Sequence, residues 1–301
     1  LWTRGGKRGL EGTLRVGAQS ERGSARGTAE VQPRLNVIQN GGDPMENEQS
    51  FFDRADEVGF TKQLGGVAAT EELMELCHVG EGSYILDVGC GAGVTPCFVA
   101  KRVGCRVVGV DISEGMIARS RERAQREGVA DRVEFRVADA QDLPFEDDLF
   151  DAVITESVTA FPEDKQRAVN EYARVTKPGG YVGLNESTWR KAPSPEMIAW
   201  ASQAPDTSVN PLPSEEWVGL LEGAALRDIV VRTYEVDVRN QTKGILQRYG
   251  CLWMLGIWGR MLRLYARNPA YRRFVKQINK DAVVPKNLVE YFGYGLYVGR
   301  K

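Results

Sequence analysis

A chain of 301 residues is long enough to bury a substantial core, as one large α/β domain or one domain with additions, and its net charge of −2 favours no polyanion such as nucleic acid. One histidine, and five cysteines without a C-x-x-C pair, argue against imidazole or thiolate metal sites and against a disulfide framework; they describe the reduced thiols of a cytoplasmic protein. The longest apolar run, Cys251 to Trp258, is far short of the roughly 20 residues that span a bilayer.

Residues 1–44 show many glycines and no apolar periodicity, which predicts a disordered extension, with the functional domain covering 45–301 and starting near Met45, the first methionine. Two helical patterns follow. One, around Phe51 to Val58, stops at Gly59; the other, Thr70 to Cys77, places Leu73, Met74 and Leu76 on one side, with Thr70 as N-cap.

The stretch from Tyr84 to Asp111 organises the rest. A short apolar run, Tyr84 to Val88, breaks into glycines at alternate positions, Gly89, Gly91 and Gly93; an amphipathic segment with Val94, Phe98, Val99 and Val103 follows, and then a β-branched run, Arg106 to Val110, closed by Asp111. This is a strand, loop, helix, strand unit, and a crossover of that length implies a parallel, right-handed pair. The loop is expected to offer free N–H groups at a helix start, where an anionic group is stabilised. An acid 18 residues beyond Gly93, at the end of the second strand, is placed to accept from a ribose diol, each bond contributing roughly 1.5 to 3 kcal/mol. The pocket therefore suits a nucleoside.

From Ser113, as N-cap, a helix carries Met116 early in its first turns; a third strand, Val133 to Val137, leads to Asp139 and Ala140. A fourth strand, Phe150 to Glu156, and a fifth, Tyr181 to Leu184, preceded by Lys177-Pro178-Gly179-Gly180, complete the pattern. The loop reads Asp87-Val88-Gly89-Cys90-Gly91-Ala92-Gly93, which is not the dinucleotide G-x-G-x-x-G. With the acids at 111 and 139 and the KPGG turn, over about 65–187, it resembles the class I S-adenosylmethionine-dependent methyltransferases, broadly those of the ubiquinone and menaquinone group.

That resemblance implies an α/β fold with a mostly parallel, seven-stranded, doubly wound Rossmann-like sheet in the order 3-2-1-4-5-7-6, and S-adenosyl-L-methionine as cofactor. It implies cofactor contacts from Asp87, Gly89, Cys90, Gly91 and Gly93 in the loop, from Asp111, Ile112 and Met116, from Asp139 and Ala140 at the adenine, and from Glu156. Small-molecule members fold a segment before the first strand over the cofactor, which makes Phe52, Phe60 and Gln63 lid candidates.

Ligands of open α/β sheets sit beyond the carboxyl ends of the strands, so Glu156 and Glu186 are expected to border the acceptor, to bind an amine, orient the acceptor, or remove a proton. Each could instead cap a helix or pair with Arg174 or Arg190. Thr155-Glu156-Ser157-Val158 lacks the Asn or Asp, two prolines and aromatic of enzymes that methylate nucleic-acid amines. The expected acceptor is a small, partly apolar metabolite, and no metal is needed.

Further on, Ile229 to Val238 and Tyr291 to Val298 are expected to form the antiparallel edge hairpin, with a helical cap at about 238–290 inserted before the last strand. Residues 238–280 hold ten Arg or Lys and no acid, interleaved with aromatics, and Arg260, Arg263 and Arg267 share a helical face. Three readings stay open: a lid with a solvated face, a cap over an apolar acceptor, or peripheral contact with a lipid or nucleic-acid surface through 245–267.

Overall fold

The structure of this chain, a computed structural model, describes residues 64–202, 211–235 and 288–301 and scattered positions between 256 and 272. The extension over 1–44, the helix around Phe51 to Val58, the candidates Phe52, Phe60 and Gln63, and most of 238–290 lie outside the described residues.

Short runs of β-branched and aliphatic residues, apolar toward both faces, form the middle of the sheet because helices cover it on two sides. Tyr84–Val88 (β1), Arg106–Asp111 (β2) and Val133–Val137 (β3) are parallel neighbours, with Leu86 beside Val108 and Val108 beside Glu134. Phe150–Glu156 (β4) lies on the other side of β1, and Thr176–Trp189 (β5) beside β4. Three more strands follow: Leu212–Pro213 (β6), Arg227–Glu235 (β7) and Phe292–Arg300 (β8), with β8 antiparallel to both β5 and β7. The path is β3-β2-β1-β4-β5-β8-β7, the expected order once the two-residue β6 is set aside. β6 pairs with Thr188 and Trp189 of β5, past the end of β4, and stops at Pro213, which has no N–H to donate.

The helices are Gly66–Leu76 (α1), Val94–Val103 (α2), Glu114–Glu127 (α3), Lys165–Val175 (α4), Pro195–Ser202 (α5), Ser214–Gly223 (α6) and Leu288–Tyr291 (α7). Alternation along the strands sorts their side chains into two layers. Ile85, Val107, Phe135 and Ile154 pack with Leu73 of α1, Val99 of α2 and Ile117 of α3. Leu86, Val108, Val153 and Leu184 pack with Val169 and Tyr172 of α4 and Trp217 of α6. Between β7 and β8 the described positions Met261–Arg263 and Tyr265–Arg267 are helical, with Met261, Leu262 and Tyr265 exposed.

Two local expectations are corrected. The helix expected from Thr70 starts four residues earlier: Gly65 adopts a left-handed φ of 75°, packed so closely on the Tyr294 ring that a Cβ would lie 2.5 Å from it, and the helix runs from Gly66. Thr70 is thus inside α1, one turn from its start, where its hydroxyl reaches both Gly66 O at 3.3 Å and Glu156 Oε1 at 2.8 Å instead of capping free amides. β5 also extends beyond Tyr181 to Leu184 in both directions. The KPGG segment is an irregularity within it, Phe150 pairing with Thr176 and Ala152 with Tyr181.

Candidate active site

The glycine loop takes its shape from three left-handed residues, with φ of 72° at Gly89, 52° at Gly91 and 72° at Gly93. A Cβ on Gly89 would lie 2.3 Å from Val158 Cγ2, and one on Gly93 would lie 2.9 Å from Ser120 Cβ. From behind, α3 braces the loop: Ser120 Oγ donates to Gly91 O at 2.7 Å and Arg123 Nε to Ala92 O at 2.8 Å.

The loop amides depart from expectation. Gly89 N and Cys90 N both donate to Val110 O, at 2.7 and 2.9 Å, and Gly93 N to Cys90 O at 3.0 Å. Gly91 N donates to Asp111 Oδ2 at 2.8 Å. These four N–H groups, expected to be free for an anion, are spent on holding a turn between two adjacent strands, because buried backbone donors seek the nearest carbonyl. What the glycines give the loop is close approach of its backbone to Val158 and Ser120.

Asp111 closes β2 half-buried, its Oδ1 accepting from Ser113 N at 2.9 Å. A carboxylate can accept about four hydrogen bonds, two of them here from the backbone donors of Gly91 and Ser113. Next to it Ile112 is 65 % exposed, and Val137, which pairs with Asp111, is 46 % exposed. Together they make an apolar ledge beside the acid. Sequence reasoning missed Val137: it keeps the phase of the buried Val133 and Phe135 and reads as core, but at the end of β3 it is exposed. Met116, expected near an adenine face, is buried, with its N–H on Ser113 Oγ at 3.2 Å.

Asp139 is exposed, two residues past β3 rather than in it, and its Oδ1 accepts from Gln141 N at 2.9 Å, a side-chain-closed turn that also exposes it to solvent beside Ala140. The Cys90 thiol is buried, and burial together with the charges of Asp87 and Asp111 pushes it well above the usual thiol range, so it is neutral and no nucleophile.

Strand alternation sends Glu156 and Glu186 to opposite faces of the sheet. Glu156 shares the α1–α2 face with Asp87 and is 6 % exposed. Its Oε1 accepts from Thr70 Oγ1 at 2.8 Å and Asn185 Nδ2 at 3.3 Å, and its Oε2 from Thr95 Oγ1 at 2.7 Å. Asn185 Nδ2 also donates to Leu64 O at 2.9 Å. One carboxylate thereby gathers α1, α2 and β5 at the carboxyl edge of the sheet.

Glu186 lies under the other face, fully buried. Its Oε1 accepts from Val158 N at 2.9 Å, Thr159 N at 2.6 Å and Thr155 Oγ1 at 3.4 Å. Burial raises its carboxyl from 4.5 to about 7, against the pull of those amide donors. The two arginines the sequence offered as partners are engaged with other acids: Arg174 with Glu171 and Asp147, and Arg190 with Glu235. The described residues contain no cluster of His, Cys, Asp or Glu that could hold a metal, and no helix long and apolar enough to cross a membrane.

Residues 85–180 match the family described as "Methyltransferase domain". The chain is 39 % identical over 120 residues to "Methyltransferase GfsG" of Streptomyces halstedii, covering 40 % of this chain and 43 % of that protein. It is 30 % identical over 190 residues to "Phosphoethanolamine N-methyltransferase 1" of Arabidopsis thaliana, covering 63 % of this chain and 36 % of that protein. The match thus spans less than half the length of either relative. The fold is that of the S-adenosylmethionine-dependent methyltransferase from Geobacter sulfurreducens crystallised with S-adenosyl-L-homocysteine, with a TM-score of 0.61, 20 % identity, and 82 % and 96 % of the two chains covered. The glycine loop and the acids ending β2 and following β3 all fall inside the matched segment, so residues 85–180 of this chain are similar to a methyltransferase domain and sit in the sheet fold of that methyltransferase structure.

Proposed function

We propose that this protein transfers the methyl group of S-adenosyl-L-methionine to a small, partly apolar metabolite, in the cytoplasm. The observation that carries the reading is the juxtaposition at one sheet edge of a tight loop with three left-handed glycines, a half-buried acid at 111 and the exposed Ile112 and Val137. This set fits a nucleoside: hydroxyls of a ribose meet Asp111, a flat base meets the ledge with Asp139 and the Ala140 N–H at its edge, and the loop tolerates close approach of a chain beside Asp87. The remaining expected contacts, Gly89, Cys90, Gly91, Gly93, Met116 and Glu156, shape this cradle or lie beneath it.

The bound cofactor supplies an electrophilic methyl on a sulfonium centre. The chain supplies alignment and exclusion of water, since an in-line displacement gains most from a fixed approach. Glu156, with its oxygens fixed by Thr70, Thr95 and Asn185, is poised to orient the acceptor or take its proton. The absence of the two-proline motif after Thr155 supports a small molecule over a nucleic acid. An amine acceptor is the second reading, favoured by the carboxyl group of Glu156 at this edge and by the amine that names the Arabidopsis relative.

Incubation with labelled methyl donor and a fractionated cell extract tests this. Label should enter a small metabolite; label only in RNA or in protein, or heat in calorimetry with NADH but with neither S-adenosylmethionine nor S-adenosylhomocysteine, overturns it.

A further inference from the structure

The loop after β4 is held in an unusual way. Ser157, which leads it, has a φ of 61°, a left-handed conformation disfavoured for a residue with a side chain. Its N–H donates to Asn185 O at 2.7 Å, and the next two amides, Val158 N and Thr159 N, converge on the single oxygen Glu186 Oε1. Phe161 N donates to Val158 O at 3.0 Å and closes the turn. The donors from Thr155, Val158 and Thr159 all use Oε1; Oε2 is buried with no hydrogen-bond partner among the described residues. The side chain of Val158, carried by the clamped amide, is the group a Cβ on Gly89 would strike.

We propose that Glu186 is a positioning residue: its carboxylate clamps the loop after β4 so that Val158 is seated against Gly89, which couples the acceptor side of the site to the cofactor side. This rests on the proposed function and deepens it. An ionised carboxylate accepts from amides more strongly than its neutral acid does, so in local openings that leave Glu186 buried its bonds to the Val158 and Thr159 amides tighten when it loses its proton, even as the buried charge lowers the stability of the whole fold. The titratable groups facing it are Tyr172 of α4 and Tyr297 of β8; both are raised by burial and stay neutral around pH 7, while the charge of Asp139 bears on Tyr172. Glu186 is therefore the group of this cluster that changes charge near neutrality.

The test uses the full chain as wild type, Glu186→Gln and Val158→Ala. Two quantities are read at about pH 6 and about pH 8.5, either side of the Glu186 transition: hydrogen-exchange protection of the Val158 and Thr159 amides, and affinity for S-adenosylhomocysteine by calorimetry. In the wild type the amides gain roughly tenfold protection at the higher pH and the affinity rises about fivefold beyond its change in Glu186→Gln. Glu186→Gln keeps the wild-type low-pH protection at both pH values. Val158→Ala keeps the amide response and loses the affinity response, and this pair decides the matter if Glu186→Gln does not fold. Equal pH responses in all three proteins overturn the inference and leave the proposed function standing. If S-adenosylhomocysteine binds none of them, the proposed function fails, and unchanged amide protection between the two pH values overturns the clamp separately.

Discussion

Thr95 Oγ1, in the first turn of α2, donates to Glu156 Oε2 at 2.7 Å across 61 residues of chain. The helix that begins at the glycine loop is thereby tied to the carboxyl end of β4, so the cofactor side and the acceptor side share one buried carboxylate. Thr70 of α1 supplies the matching bond to the other oxygen.

Glu156→Gln keeps one acceptor oxygen and loses the charge. Turnover should fall by about a hundredfold, the usual contribution of a positioned acid or base, while affinity for S-adenosylhomocysteine changes little. Normal turnover in the mutant, measured with the labelled donor, would remove Glu156 from the chemistry.

Asp111→Asn should weaken S-adenosylhomocysteine binding by about 1.5 to 3 kcal/mol, the range for hydrogen bonds to a charged acceptor. Calorimetry reads this directly. An unchanged affinity would mean that the ribose lies elsewhere.

Gly89→Ala places a methyl about where Val158 already stands, on a backbone with a φ of 72°. Backbone strain and displacement of Val158 together should destabilise the fold by about 1 to 3 kcal/mol in denaturant unfolding and weaken cofactor binding. A mutant as stable as the wild type with intact binding would show that the loop relaxes freely.

Stability should depend on pH through Glu186. Its carboxyl holds a proton more tightly in the folded state, about 7 against 4.5, so the folded chain binds more protons across that window and stability falls as pH rises through it. The full effect is about 3 kcal/mol, present below pH 4.5 and lost above about 7. In Glu186→Gln this component of the slope should vanish from urea midpoints measured between those limits; an unchanged slope would place the titration on another group.

Much of this molecule is legible in its sequence because the information is local. Periodicity two against 3.6, glycine where φ must be positive, Ser113 at a helix start and the runs of β-branched residues gave β4 to the residue and β2 to within a residue. The parallel order of the first strands follows from short crossovers of one hand. Helix α1 was misread at its start because Gly65 gains its left-handed turn from Tyr294, which is more than two hundred residues away in the chain.

Where the acids act was not legible. Glu156 and Glu186 occupy equivalent positions at the ends of neighbouring strands and read alike; a pleat with side chains alternating between faces, at a register of Glu156 opposite Asn185, sends one to the α1–α2 layer and the other under the loop after β4. The glycine spacing announced a tight loop, yet only packing revealed that its amides serve Val110 and Asp111. Residue types and local pattern thus determined the chain's elements and the kind of ligand it accepts. Strand register and burial, which join residues far apart in the chain, decided which groups are charged, which are spent on structure, and which face the reaction.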